Sequence, residues 1–140
     1  GTVNGHQLAF YDLMPTFCEL IGVKNYVKKY ANKKKKVDYF DGISFAPTLL
    51  GKEGQEEHEF LYWEFNETDQ IAVRMGDWKM VVKKGTPFLY HLATDIHEDH
   101  DVAEQHPDKI EKMKKIIQSQ HVPNPHFSVT LPVFDEQAGK

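Results

Sequence analysis

Four histidines and four acidic residues lie close together in one short stretch, so a metal site is the first chemistry to test. They are His91, Asp95, His97, Glu98, Asp99, His100, Asp101 and His106. Zinc needs about four converging ligands, and an EF-hand loop needs acids at alternate positions, a central glycine and a closing glutamate. Counted from Asp95, the sixth position is His100 and the twelfth is His106, so the EF-hand pattern fails. We interpret the acids as a polar turn that caps the helix after it.

Nucleophilic and acid–base chemistry have one candidate each. Cys18, the only cysteine, lies in an apolar stretch with no histidine near it in sequence, which is typical of a small buried side chain. A single cysteine also excludes an internal disulfide and a cysteine-based zinc site. His58 lies between Glu57 and Glu59 and could serve in acid–base catalysis, although such neighbours also occur by chance in charged loops. We therefore assign no catalytic residue and no metal ligand.

A possible sugar-binding rim occurs at the end of an apolar strand pattern. It consists of Trp63, Glu64, Asn66 and Glu67. Aromatic faces stack on pyranose rings, while carboxylates and amides hydrogen-bond to sugar hydroxyls. The alternative is that Trp63 belongs to the core and that the polar residues only form the turn to the next strand. The sequence leaves both interpretations open.

Four runs of alternating apolar residues, followed by one amphipathic helix, predict the architecture. The runs are residues 60–65, 71–75, 78–82 and 88–92, and the helix is residues 107–120. Gly76-Asp77 predicts a type II′ hairpin, and residues 85–87 predict a second turn. The expected fold class is α+β, with a four-stranded antiparallel sheet packed against a C-terminal helix. Trp78 and Tyr90 are expected between the sheet and the helix, facing Ile110, Met113 and Ile117.

The rest of the chain predicts a separate N-terminal segment and an irregular tail. A helix is expected over 12–21 and a helical turn over 45–50, and the acidic connector 53–57 marks a boundary. We therefore predict three parts: 1–52, 53–122, and an extended or disordered tail, 123–140. The net charge of −4 and the absence of a basic face argue against nucleic-acid binding. No apolar run reaches the roughly 18 residues of a membrane span.

Four segments, in order, resemble the sulfatase family. YDLMPTFCELIGV is similar to a helix near the end of the sulfatase large domain, and FDGISFAPTLLGK to the segment after it. AVRMGDWKMV and FLYHLATDIHEDHDVA are similar to the hairpin and the closing turn of the C-terminal sulfatase subdomain. The resemblance covers about residues 10–120, and the strand LYWEF within it is most similar to bacterial polysaccharide sulfatases.

This resemblance implies a parent enzyme that hydrolyses sulfate esters, of which this chain would be the C-terminal portion. The family nucleophile is a formylglycine made from the Cys or Ser of a C/S-x-P-x-R motif, and calcium assists it. Cys18 lacks the Pro and Arg of that motif, so the nucleophile and the calcium ligands are expected in a preceding alkaline-phosphatase-like domain, to which residues 1–52 would form the tail end. The cofactors are thus expected outside this chain, and the chain alone is expected to be inactive.

The resemblance also implies partners and a location, and two alternatives to a sulfatase stay open. The expected partners are the large sulfatase domain and a sulfated carbohydrate, with self-association of the isolated chain, and the expected location is periplasmic or otherwise exported. One alternative is a free-standing carbohydrate- or protein-binding module. Another is a related phosphoester hydrolase or transferase of the same superfamily. The length of the native reading frame separates the first alternative from a sulfatase.

Overall fold

The structure, a computed structural model, describes residues 1, 3–23 and 41–134. Residues 24–37, which form a long insert relative to the usual sulfatase pattern and include four successive lysines at 33–36, lie outside these described residues. The chain divides into two compact units, Gly1–His58 and Glu59–Lys140. The assignment of residues 1–52 to a larger catalytic domain stays a prediction.

The first unit contains the predicted helix and the predicted helical turn. A 3-10 turn at Phe10–Asp12 leads into helix α1 (Leu13–Leu20), and helix α2 is Ala46–Leu49. Helix α1 ends in a Schellman motif, because the Gly22 amide donates to the Glu19 carbonyl and the Val23 amide donates to the Cys18 carbonyl. Gly22 has φ +74°, the left-handed conformation that this motif requires.

A buried aspartate holds the first unit together. One Asp12 carboxylate oxygen accepts the Ala9 amide at 2.7 Å, and the other accepts the Ile43 amide and a His58 ring nitrogen, each at 2.8 Å. Thr16 adds a second link, since its hydroxyl donates to the Asp12 carbonyl and accepts the Phe45 amide. These bonds fix the start of α1 against the segment that leads into α2.

The second unit contains the predicted sheet. Its strands are β1 (Leu61–Phe65), β2 (Gln70–Met75), β3 (Trp78–Lys83) and β4 (Thr86–His91), antiparallel in the order β1-β2-β3-β4. Gly76 has φ +58° and Asp77 has no positive φ, as the predicted type II′ turn requires. The four-stranded antiparallel sheet is therefore confirmed.

The second hairpin turn was placed too far along the chain. Lys84 and Gly85 form the two-residue connection, and both have positive φ, as in a type I′ turn. Thr86 and Pro87 therefore belong to β4 rather than to the turn. Proline is accepted there because β4 is an edge strand, which can lack one ladder donor.

Helix α3 (Pro107–Gln120) covers one face of the sheet. Its Ile110, Met113 and Ile117 form one core cluster with apolar side chains of three strands. Those are Ile71, Val73, Met80, Val82 and Leu89. The predicted packing of the helix on the sheet is confirmed.

The predicted position of Tyr90 was wrong. The β3–β4 register pairs Trp78 with His91 and Lys79 with Tyr90, so Trp78 and Tyr90 lie on opposite faces of the sheet. Trp78 is half-buried against the helix-side core, whereas Tyr90 and Leu92 form a second cluster with Val81. The alternation in β4 misled the prediction because both faces of this strand carry large apolar residues.

The tail after α3 contacts the sheet. Its Val129, Leu131 and Phe134 pack against the helix-side core. The Asp69 carboxylate accepts the Thr130 amide at 2.6 Å and the Thr130 hydroxyl at 2.7 Å. The described part of the tail is thus extended but held in place, while residues 135–140 lie outside the description.

Within the described part of the chain, no helix has the length and apolar character needed to cross a membrane.

Candidate functional site

The structure divides the predicted sugar-binding residues between the two faces of the sheet. Trp63 pairs with Ala72 and Glu64 pairs with Ile71, so the two side chains point in opposite directions. Trp63 is 37% exposed, on the face away from α3. Asn66 and Glu67 are exposed in the 3-10 turn Asn66–Thr68 that follows β1. The four residues therefore do not converge on one point.

Glu64 belongs to a partly buried hydrogen-bond cluster on the helix side. Its carboxylate accepts the Tyr62 hydroxyl and, at 2.8 Å, the Nδ1–H of His121. Burial raises the pKa of the Tyr62 hydroxyl, and the bond to the Glu64 carboxylate raises it further. His121 directly follows α3, so the cluster joins the end of this helix to β1. Glu64 therefore links strand β1 to the residue that follows helix α3.

A cavity of about 400 Å³ opens on the other face of the sheet, beside Trp63. All of its lining residues belong to the second unit. They are Trp63, Ala72, Arg74, Lys79, Leu92, Ile96 and Glu98. The small Ala72 side chain lies directly across from Trp63 and leaves room beside the indole ring.

The cavity has cationic and apolar walls. Arg74 and Lys79 are directly opposed on β2 and β3, and like charges in this position repel each other. Lys79 is neutralised by an ion pair with Glu98, while the Arg74 Nε–H donates to the Gly76 carbonyl at 3.2 Å. Among the described residues, no carboxylate lies within ion-pair distance of Arg74. The cavity therefore holds one cationic group that is free of a carboxylate partner in this part of the chain.

Three residues of the cavity were not predicted as site residues from the sequence: Arg74, Lys79 and Glu98. The signal for the first two was present, because a two-residue turn at Gly76-Asp77 fixes Arg74 opposite Lys79. Alternation along β1 and β2 then places Arg74 on the same face as Trp63. Glu98 had no such signal, since it reaches Lys79 from an irregular loop.

The histidines considered as metal ligands do not form a metal site among the described residues. His91 and His106 both contact the Trp78 ring, with ring centroids 4.6 and 4.7 Å from it, and His100 is exposed beside Asp95. Across residues 1, 3–23 and 41–134, no group of three or more His, Cys, Asp or Glu side chains could hold a metal ion. These residues offer no site that fits the calcium expected in the parent enzyme.

The acidic turn does not cap helix α3, contrary to prediction. The N-cap residue of α3 is His106, and no side chain caps it. Asp95 instead accepts the amides of Asp99 and His100, and Asp101 accepts those of Leu89 and Ala103. The His100 amide and then the Asp99 amide lower the pKa of Asp95. The acids stabilise the loop itself, including the segment that presents Glu98 to the cavity.

The two remaining chemical candidates lie in the first unit. Cys18 is half-buried on α1. His58 bonds to Asp12 and contacts the Tyr11 ring edge-on, with centroids 5.6 Å apart. The His58–Asp12 pair is enclosed, since their side chains are 10% and 2% exposed. This position suits a structural role for His58.

Comparison with known proteins identifies similar folds. No family model matches the sequence. The chain is similar to Ps i-CgsB, with a TM-score of 0.58 and 23% identity over 81% of this chain, and Ps i-CgsB has also been solved in complex with k-i-k-neocarrahexaose. It is also similar to a sulfatase of Bacteroides thetaiotaomicron VPI-5482 (TM-score 0.55, 23% identity, 77% of this chain) and to BT1596, a 2-O GAG sulfatase (0.55, 22%, 77%).

The match covers only part of each of these proteins. This chain spans 24% of Ps i-CgsB and 23% of each of the other two. At these identities the likeness concerns the fold, and it agrees with the order of the four sequence segments. The resemblance to sulfatases is therefore confirmed at the level of fold: the described part of the chain folds like a portion of a sulfatase.

Proposed function

We propose that this chain is the C-terminal portion of a sulfatase that hydrolyses sulfate esters of carbohydrates. The observation that carries the proposal is the fold match to sulfatases over 77–81% of the chain. Two of the matched proteins support a carbohydrate substrate, since one is a 2-O GAG sulfatase and the other was solved with a neocarrahexaose. In this proposal the chain contributes packing and part of the substrate-pocket rim.

The rim assignment rests on exposed residues near β1. Trp63 presents an open aromatic face, and Asn66 and Glu67 lie exposed in the turn that follows the strand. Glu64 contributes indirectly, because its bonds to Tyr62 and His121 fix the end of β1 from which the rim projects. A rim of this kind orients a sugar ring and leaves bond cleavage to groups elsewhere.

The proposal places the nucleophile, the calcium ligands and the sulfate-binding groups outside residues 1–140. Formylglycine would supply the attacking oxygen and calcium would stabilise the sulfate charge. We assign neither of them a ligand or a contact in this chain. Residues 1–52 would pack against that catalytic domain, and the whole enzyme would be exported.

The test compares this chain with the full product of its gene. Sulfate release from a sulfated polysaccharide is measured for the 140-residue chain, for the full gene product, and for the full product with the Cys or Ser of its C/S-x-P-x-R motif changed to Ala. We expect release only by the unmodified full product. Release by the 140-residue chain above a heat-treated control contradicts the proposal. So does a gene that encodes only an export signal before Gly1, which instead supports the binding-module alternative.

A further inference from the structure

The cavity beside Trp63 has the composition of a binding site for a charged sugar. Carbohydrate sites combine an aromatic platform with a few fixed polar groups. Here Trp63 is the platform, Ala72, Leu92 and Ile96 supply apolar walls, and the polar groups are Arg74, Lys79 and Glu98. A volume of about 400 Å³ lies within the usual range for small-ligand pockets.

The charge balance of the cavity favours an anionic ligand. Lys79 and Glu98 neutralise each other through their ion pair. Arg74, the only arginine of the chain, therefore leaves the cavity with one net positive charge. Its guanidinium is oriented by the bond from Nε to the Gly76 carbonyl, and an oriented guanidinium fork can bind a tetrahedral oxyanion through two parallel hydrogen bonds.

We propose that this cavity binds a sulfated pyranose unit of a polysaccharide. The ring stacks on Trp63, the sulfate group accepts hydrogen bonds from Arg74, and the Lys79–Glu98 pair hydrogen-bonds to ring hydroxyls. The choice of a sulfated sugar rests on the proposed function, and the cavity extends the proposed rim from Trp63 onto the sheet face opposite Glu64. No covalent step occurs at this site.

The loop that carries Glu98 is built to hold this geometry. Asp95 accepts two amides of the loop, and Glu98 itself adopts φ +60°. A left-handed conformation at a non-glycine residue is costly and persists only where its surroundings enforce it. The loop bonds that enforce this conformation also hold the Glu98 carboxylate on Lys79, and Arg74 has no carboxylate partner among the described residues.

The experiment titrates the 140-residue chain with a sulfated neocarrahexaose, with its desulfated form and with inorganic sulfate. Binding is measured by calorimetry, and the binding surface is mapped by amide and indole NMR shifts. We expect the sulfated hexasaccharide to bind about tenfold more tightly than the desulfated form. The shifts should fall on Trp63, Ala72 and Lys79. Inorganic sulfate should bind weakly, since it lacks the stacked ring.

Variants separate the contribution of the sulfate contact from that of ring stacking. Arg74→Gln and Trp63→Ala should each weaken binding of the sulfated hexasaccharide by about tenfold. Trp63→Phe should restore part of the loss, and Lys115→Gln on the exposed surface of α3 should change nothing. Arg74→Gln should leave binding of the desulfated form unaltered. If Arg74→Gln does not fold, the NMR map and Trp63→Phe still decide the outcome.

Three results would overturn the proposal: equal binding of sulfated and desulfated forms, shifts confined to α3, or inorganic sulfate as the tightest ligand. Failure here is distinct from failure of the proposed function. Sulfate release by the full gene product without binding at the cavity would reject only the cavity assignment. Binding at the cavity without sulfate release would reject only the enzyme assignment.

Discussion

At the scale of single residues, Asp12 links three separate parts of the first unit. It is 1% exposed and accepts bonds from Ala9, Ile43 and His58. A buried amide that loses its acceptor costs about 1–3 kcal/mol, because it has given up water without a replacement. Asp12 therefore matters more through the groups it satisfies than through its own charge.

Replacement of Asp12 tests this role. Asp12→Ala should lower the free energy of unfolding of the first unit by about 3 kcal/mol, since the buried Ala9 amide and the partly buried Ile43 amide lose their acceptor. Asp12→Asn keeps one acceptor oxygen and should cost roughly half as much. Chemical denaturation gives the energies, and exchange of the Ile43 amide localises them. An unaltered midpoint for Asp12→Ala would show that this network is not needed.

The two tryptophans form a matched pair for stability. Trp78 is half-buried between His91 and His106, so Trp78→Ala should cost about 2 kcal/mol, less than the ~3–5 kcal/mol of a fully buried aromatic ring. Trp63 lies on the open face, and Trp63→Ala should change stability by only about 0.5 kcal/mol. Equal effects in thermal unfolding would refute the assignment of the two faces.

The Asp69 carboxylate reports attachment of the tail. The Thr130 amide and then its hydroxyl lower the pKa of Asp69 below its ordinary value of 3.8. Because the folded pKa is depressed, this stabilisation is present above pH 3.8 and is lost as the pH falls through the folded value. Thr130→Val removes only the hydroxyl, so the pKa should rise part of the way. Thr130→Ser keeps a hydroxyl and should leave the pKa of Asp69 unchanged. NMR titration of the Asp69 carboxyl measures the pKa in both variants.

At the scale of elements, the tail and the second hairpin support each other. A Cβ added to Gly85 would come within 3.1 Å of the Thr130 side chain, so the tail packs closely over the type I′ turn. Asp69 holds Thr130 from the β1–β2 connection, and its own carbonyl accepts the Lys84 amide. The tail thus joins both connections at one end of the sheet.

This arrangement predicts a local effect of Asp69 variants. Asp69→Gly accepts the left-handed φ of 52° but removes the side-chain acceptor, so the Thr130 amide should exchange with solvent faster. Asp69→Asn retains an acceptor oxygen and tolerates the same backbone conformation, so protection should largely remain. Hydrogen exchange measured by NMR distinguishes the two. Equal protection of the Thr130 amide in both variants would show that the Asp69 side chain does not hold the tail.

An element could be predicted from the sequence where neighbouring residues determine it. It could not be predicted where an unusual backbone conformation or a contact distant in sequence determines it. Gly76-Asp77 between alternating runs determines the β2–β3 register, and Pro107 marks the start of α3, so both were predictable from local signals. The face of Tyr90 was not, because β4 is apolar on both sides and its register depends on Lys84 adopting positive φ. The attachment of Thr130 to Asp69 spans 61 residues and has no local sequence signal.

In the candidate site too, features specified by local sequence signals were predictable, and features that depend on loop contacts were not. The exposure of Trp63 and the opposition of Arg74 and Lys79 follow from strand alternation and one hairpin turn. The direction of Glu64 could have been read from the same alternation, which separates neighbouring residues onto opposite faces. The Glu98 contact could not, because its loop is determined by amide bonds to Asp95.

At the scale of the whole molecule, the first unit carries an extensive exposed apolar surface around α1. Phe10 is 89% exposed and Ile21 is 74% exposed. Further exposed members are Leu8, Met14, Phe17, Leu20, Leu49 and Leu50. Large apolar patches of this kind usually mark an interaction surface. In the proposed sulfatase, this surface would pack against the catalytic domain.

The isolated chain should therefore associate with itself. Sedimentation equilibrium of the 140-residue chain should show concentration-dependent dimers or larger species. A Phe10→Asp, Ile21→Asp variant should be monomeric, because the charges oppose burial of this surface. Leu131→Asp, which disturbs the second unit, serves as a control for general destabilisation. A strictly monomeric wild-type chain would remove the physical support for an apolar docking surface.

The most direct test of the account is reconstitution of the enzyme from two pieces. The part of the gene product that precedes Gly1 is made separately, mixed with the 140-residue chain, and assayed for sulfate release from a sulfated polysaccharide. The account predicts activity only when both pieces are present, and loss of that activity with the Phe10→Asp, Ile21→Asp variant. Full activity of the preceding piece alone, or activity of the 140-residue chain alone, would contradict it.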